Sequence, residues 1–181
     1  MHVEAAFLGI IVGWLRGGKI LRLAELTLPG WPLALLALAL QLLIKGAFYY
    51  RWELISAAAP SLYLLSFVPL FYFVYLNRHR RGMPLLGLGL LLNLIVIAAN
   101  EGAMPVNLAG LAPLLQEQLQ SGGSPLHTAL TEETLFPLLG DQIPLTYGIN
   151  RMISIGDILL ALGIALLIQQ YMVAAPESTE K

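Results

Sequence analysis

Long apolar runs broken by short polar stretches organise this chain. Five runs approach the length of a membrane-crossing helix, at about residues 3–15, 31–50, 55–75, 83–100 and 153–173. A bilayer core about 30 Å thick takes about 20 helical residues, fewer where the bilayer thins. The pattern therefore predicts an all-α fold, an integral membrane bundle of five transmembrane helices. It forms a single domain over residues 1–175, with 176–181 as a flexible cytoplasmic tail. The first run is short and ends at Trp14, before Arg16-Gly17-Gly18-Lys19. Its flanks are not those of a cleaved signal peptide, which carries its charge before the apolar run, so a retained helix is expected. Pro32 suits a helix start, whereas Pro69 lies deep enough in the third run to predict a kink.

Between the fourth and fifth runs lies a long segment, residues 101–152. Leu108, Leu111, Leu114, Leu115 and Leu119 recur at helical spacing opposite Gln116, Glu117 and Gln120, which predicts an amphipathic helix lying on the membrane surface. Ser121-Gly122-Gly123-Ser124-Pro125 should end it, and Pro137 and Pro144 argue against a second long helix. The segment reads as a cap over one end of the bundle, ahead of the alternative of a lid over a pocket.

Composition supports a lipid environment: 57% of residues are hydrophobic, 12% are charged, and the mean hydropathy is +0.75. A soluble domain carries roughly a quarter charged residues. Orientation follows from the positive-inside bias. Arg16, Lys19, Arg22, Arg78, Arg80, Arg81 and Lys181 fall on one side, against Lys45, Arg51 and Arg151 on the other. The N-terminus is expected outside and the C-terminus inside a bacterial inner membrane. Net charge is -1 and no basic tract carries interleaved aromatics, which excludes the footprint of a nucleic-acid binder.

The chain has no cysteine, so thiolate catalysis and cysteine-ligated metals drop out. His2, His79 and His127 are far apart in sequence and read as surface residues; no metal and no cofactor is expected. Polar groups inside the bilayer are the better pointers, because an unpaired one is costly in hydrocarbon. Gly89, Asn93 and Asn100 share one face of the fourth helix, and Asp157 sits near the start of the fifth. If those helices are neighbours, Asn93, Asn100 and Asp157 can line a polar pocket. Asp157 with Asp141 or Glu101 can form a carboxylate pair that shares a proton and activates water. Against this stands the plainer role of an aspartate in a first helical turn, which bonds free N–H groups there with Asn100 as partner; that role stands slightly ahead. Gly9 and Gly13 read as a helix-packing surface.

Four stretches resemble an uncharacterised family of bacterial multi-pass membrane proteins, domain of unknown function 5317. They are Arg16-Gly17-Gly18-Lys19, Asn100-Glu101-Gly102-Ala103-Met104-Pro105-Val106, Leu139-Gly140-Asp141-Gln142-Ile143-Pro144 and Ser154-Ile155-Gly156-Asp157. The resemblance implies the membrane topology and supplies no activity; it departs at Glu101, where the family's pattern has glycine. More distantly, the last two helices are similar to those of lipoprotein signal peptidases, with Asp157 in the place of an aspartate that closes one of their motifs. The companion motif fails, since Leu94-Ile95-Val96-Ile97 follows Asn93.

Three functions fit these features. The first expectation is a non-enzymatic bundle that serves as an accessory to another membrane protein; the second is a binder of lipid or a small molecule; the third is an intramembrane aspartyl hydrolase. The expected partners are membrane lipids and, for an accessory bundle, another membrane protein.

Overall fold

A computed structural model describes residues 2–145 and 151–173; the expected tail at 176–181 lies outside the described residues. The chain is mostly helical. Its helices are α1 (His2–Leu15), α2 (Trp31–Tyr49), α3 (Glu53–Ala57), α4 (Ala59–Leu65), α5 (Phe67–Leu76), α6 (Met83–Ala99), α7 (Pro113–Gln120) and α8 (Ile155–Val173). Three helical stretches are long and apolar enough to cross a membrane: Trp31–Tyr49, Ala59–Leu76 and Ile155–Val173. Two further apolar helices, Val3–Leu15 and Met83–Ala99, are shorter.

The helices do not stand in chain order. α8 packs between α1 and α6, and α5 links α6 to α2. Glycines make the close approaches. A Cβ at Gly9 would come 2.8 Å from the Ala165 carbonyl oxygen, and one at Gly13 would come 2.8 Å from the Met172 sulfur. On the other face of α8, a Cβ at Gly89 would lie 2.6 Å from the Gly156 carbonyl oxygen. Close packing of small residues is a way of joining helices that also works in lipid, where hiding apolar surface gains nothing. The Gly9–Gly13 surface is thus used within the chain.

The third apolar run is broken at Ala58 and Ser66. Proline has no N–H to give its preceding turn, and Pro60 and Pro69 each leave a carbonyl behind. Ser66 is fully buried at the second break; its hydroxyl donates to the Tyr63 carbonyl at 2.6 Å and accepts from the Gln41 side chain of α2 at 3.1 Å. A polar contact therefore stitches α2 to the bend.

The expectation of a purely helical chain needs a local correction. Residues 101–145 and 151–154 hold two small ribbons. β1 (Met104–Val106) pairs in parallel with β2 (His127–Ala129), and β3 (Ile143–Leu145) pairs antiparallel with β4 (Arg151–Ile153). A further bridge joins Val106 to Asp141. Pro105 and Pro144 cannot continue a helix, and backbone groups shut away from water must still find partners. The amphipathic helix is also shorter than the leucine pattern predicts. Pro113 starts α7, and a separate 3₁₀ turn covers Leu108–Gly110. Leu115 and Leu119 face inward, while Leu114 is 74% exposed.

Candidate functional site

The start of α8 forms a closed polar network. The Ser154 hydroxyl accepts from the Asp157 backbone N–H at 2.9 Å, and the Asp157 carboxylate reaches back to the Ser154 N–H at 3.4 Å. This reciprocal pairing is a capping box, which satisfies two of the four N–H groups that every helix start leaves open. Asn93 of α6 completes it across the helix interface: its amide donates to Asp157 Oδ1 at 3.1 Å and its carbonyl oxygen accepts from Ser154 Oγ at 3.0 Å. Gly156 makes room, because a Cβ there would fall on the Asn93 amide oxygen.

Asn100 does not join that network. Its amide donates to the Val96 carbonyl at 2.7 Å and to the Leu135 carbonyl at 2.9 Å, and its oxygen accepts from the Leu135 N–H at 3.0 Å. It clamps the loop segment to the end of α6. Glu101 stands exposed in a left-handed turn with φ 56, a conformation that glycine adopts more readily than glutamate.

Asp141 is 7% exposed, and its Oδ1 has no hydrogen-bond partner among the described residues. Burial pushes its carboxyl up to about 8, and the Asp157 charge adds to the rise. Asp141 is therefore mostly protonated at neutral pH. It lines a cavity of about 630 Å³ where α2, α7 and β4 meet. The cavity gathers Lys45, Arg51 and Arg151, while Leu111, Leu115 and Leu119 form an apolar wall. His127 also lines it, half-buried, with Nδ1 3.3 Å from the Ser124 hydroxyl, so it is not the surface residue expected. Burial, with Lys45 nearby, pushes the His127 imidazole down to about 4, so it is neutral at pH 7. Among the described residues no three His, Asp or Glu side chains cluster as a metal would require.

The cavity's cations were legible only as orientation markers, because Lys45, Arg51 and Arg151 are far apart in sequence. Asn93, Asn100 and Asp157 are not among its lining residues; Asp141 is.

The model of a family of unknown function, DUF5317, matches residues 25–169. An uncharacterised protein of Thermotoga maritima is 37% identical over 125 residues, 66% of this chain and 71% of that protein. No solved structure matches. The chain belongs to the DUF5317 family.

Proposed function

We propose that this DUF5317 protein is a five-span protein of the bacterial inner membrane that binds a small organic anion with an apolar part in the cavity beneath α7. In this reading α1 and α6 also cross the bilayer, the N-terminus faces outward, and the cavity opens on the outer side. The observation that carries it is the convergence of Lys45, Arg51 and Arg151, three of the chain's ten Lys and Arg residues, on one cavity with a leucine wall. With Asp141 mostly neutral and His127 uncharged, the lining is net positive at pH 7. A cavity of about 630 Å³ lies within the usual range of small-molecule sites, roughly 300–1,000 Å³.

A bound molecule is favoured over a purely accessory bundle because packing alone does not call for three cations around a void. Hydrolysis by Asp157 is disfavoured because both of its oxygens already accept hydrogen bonds, from Asn93 and from the Ser154 N–H. An activated carboxylate pair would need a free edge there.

Dodecyl phosphate, titrated into the detergent-purified chain by calorimetry, tests the reading. Charge-assisted contacts contribute about 1–3 kcal/mol when partly desolvated, so Lys45→Gln with Arg51→Gln should weaken binding by about 10-fold or more. Added salt should weaken it further. Equal affinity of the double variant and the native chain would refute an anion site.

A further inference from the structure

Resting on the anion-binding reading, we infer that the ligand is an anionic glycerophospholipid that enters sideways from the bilayer, its phosphate in the cavity and one acyl chain in a groove between α1 and α8.

The groove has a volume of about 380 Å³. It is lined by Ala5 and Leu8 from α1 and by Ile158, Ala161, Leu162 and Ala165 from α8. Its shape follows from the packing just beyond it. At Gly9 the missing Cβ lets α1 rest against the Ala165 backbone, which shuts the groove at that end. Toward its other end the groove is bordered by Glu4 and Leu145. The lined stretch of α8 runs from Ile158 to Ala165, about 10 Å at about 1.5 Å per residue. That length suits the part of one acyl chain nearest its headgroup, since a leaflet's hydrocarbon is about 15 Å deep.

Groove and cavity meet at an ion pair. Glu4 lines the groove, Arg151 lines the cavity, and Arg151 Nη2 bonds Glu4 Oε1. The pair's side chains are 39% and 62% exposed, and an exposed ion pair of this kind is weak. A phosphate at the junction can therefore take Arg151 as its partner while Lys45 and Arg51 hold it from the α2 side. Phosphate fits better than carboxylate. Three cations and the protonated Asp141 offer more donors than two carboxylate oxygens accept, whereas a phosphodiester and its glycerol present several more acceptors.

The test uses the full chain in nanodiscs of phosphatidylcholine that contain a few per cent of phosphatidylglycerol with a photoreactive group midway along one acyl chain. Peptides that carry the label are mapped by mass spectrometry, and glycerol 1-phosphate binding is measured separately by calorimetry. The expected result is labelling on residues 5–8 and 158–165, cut about 10-fold by Ala161→Phe while glycerol 1-phosphate binds as before. Leu162→Trp, at an exposed position on the groove lip, provides a second block if the first variant misfolds. Labels spread over α2 and α5, with glycerol 1-phosphate still bound, would overturn the groove and leave the anion site standing. If glycerol 1-phosphate also fails to bind the native chain, the anion site and the groove both fall.

Discussion

Two glycines of this chain, Gly156 at the junction of α8 with α6 and Gly46 in α2, stand in opposite surroundings. At Gly156 an added methyl group would fall on the Asn93 amide oxygen, whereas at Gly46 in α2 a Cβ would meet nothing within 4 Å. Gly156→Ala therefore forces Asn93 out of its place or pushes α8 away from α6. Overpacking of this kind costs about 1–3 kcal/mol. Displacing Asn93 also forfeits its bonds to Asp157 and Ser154, worth about 0.6 kcal/mol each on average and up to about 1.7 within a membrane. Alanine's better helix propensity returns at most about 1 kcal/mol. The net expectation is a loss of about 1–4 kcal/mol for Gly156→Ala and a gain of about 0.5–1 kcal/mol for Gly46→Ala.

Equilibrium unfolding in mixed micelles with rising dodecyl sulfate, followed by helical circular dichroism, reads both numbers on one scale. A third variant isolates the cause. In an Asn93→Ala background the obstructing amide is gone, so Gly156→Ala should cost clearly less than it does alone, a non-additivity that contact predicts. The reasoning fails if Gly156→Ala matches Gly46→Ala in stability, or if Asn93→Ala leaves the cost of Gly156→Ala unchanged.

Other expectations are simpler to state. Ser154→Ala should destabilise the chain by about 1 kcal/mol through loss of the α8 cap, measured in the same unfolding assay. Glu101→Gly should stabilise it by roughly 1 kcal/mol, because it relieves a left-handed glutamate at φ 56; a loss of stability would contradict that turn. Asp141 is raised from 3.8 to about 8 and His127 is lowered from 6.5 to about 4. Asp141 contributes stability that is fully present below pH 3.8 and lost as pH rises to about 8, while His127's contribution is lost as pH falls from 6.5 to about 4. Between pH 6.5 and about 8 only the Asp141 slope remains: stability should fall with rising pH there, and Asp141→Asn should flatten the fall. Because the chain has no cysteine, Ser121→Cys and His79→Cys each create a unique label site. A membrane-impermeant maleimide added to spheroplasts should modify the first and not the second, and the reverse pattern would invert the proposed orientation.

The helical pattern of the chain was largely legible because apolar runs and prolines act locally. The runs at 31–50 and 153–173 correspond closely to α2 and α8, and the third run, where Pro69 predicts a kink, is interrupted at Ser66 between α4 and α5. What sequence reasoning misplaced depends on depth. The sequence marks Asp157 as a first-turn residue, but the expected ends of the two helices put Asn100 beside it. α6 continues from Asn93 to Ala99, about 9 Å along the helix axis, so it overshoots the start of α8 and Asn93 is the residue that meets Asp157. Asn100 is left above the interface, where it holds Leu135. The short strands were illegible for a different reason: each spans three residues, and a pairing such as Met104 with His127 is set by tertiary position rather than by alternation along the chain.

The same distinction separates the two polar assemblies at this end of the bundle. The Ser154–Asp157–Asn93 network has each of its strong hydrogen-bonding groups matched to another, which is what a structural device needs if it is to fix helix register in lipid. The cavity carries the opposite signature, a buried Asp141 oxygen and a buried Arg151 Nε without partners among the described residues, beside Lys45 and Arg51. Unmatched polar atoms cost stability; Ser56 Oγ, Asn77 Oδ1 and Arg80 Nη1 are unmatched too among the described residues, but of these five side chains only Asp141 and Arg151 line the cavity. By that contrast Asp157, the residue most conspicuous in the sequence, serves the architecture, while the proposed binding rests on Lys45, Arg51, Asp141 and Arg151.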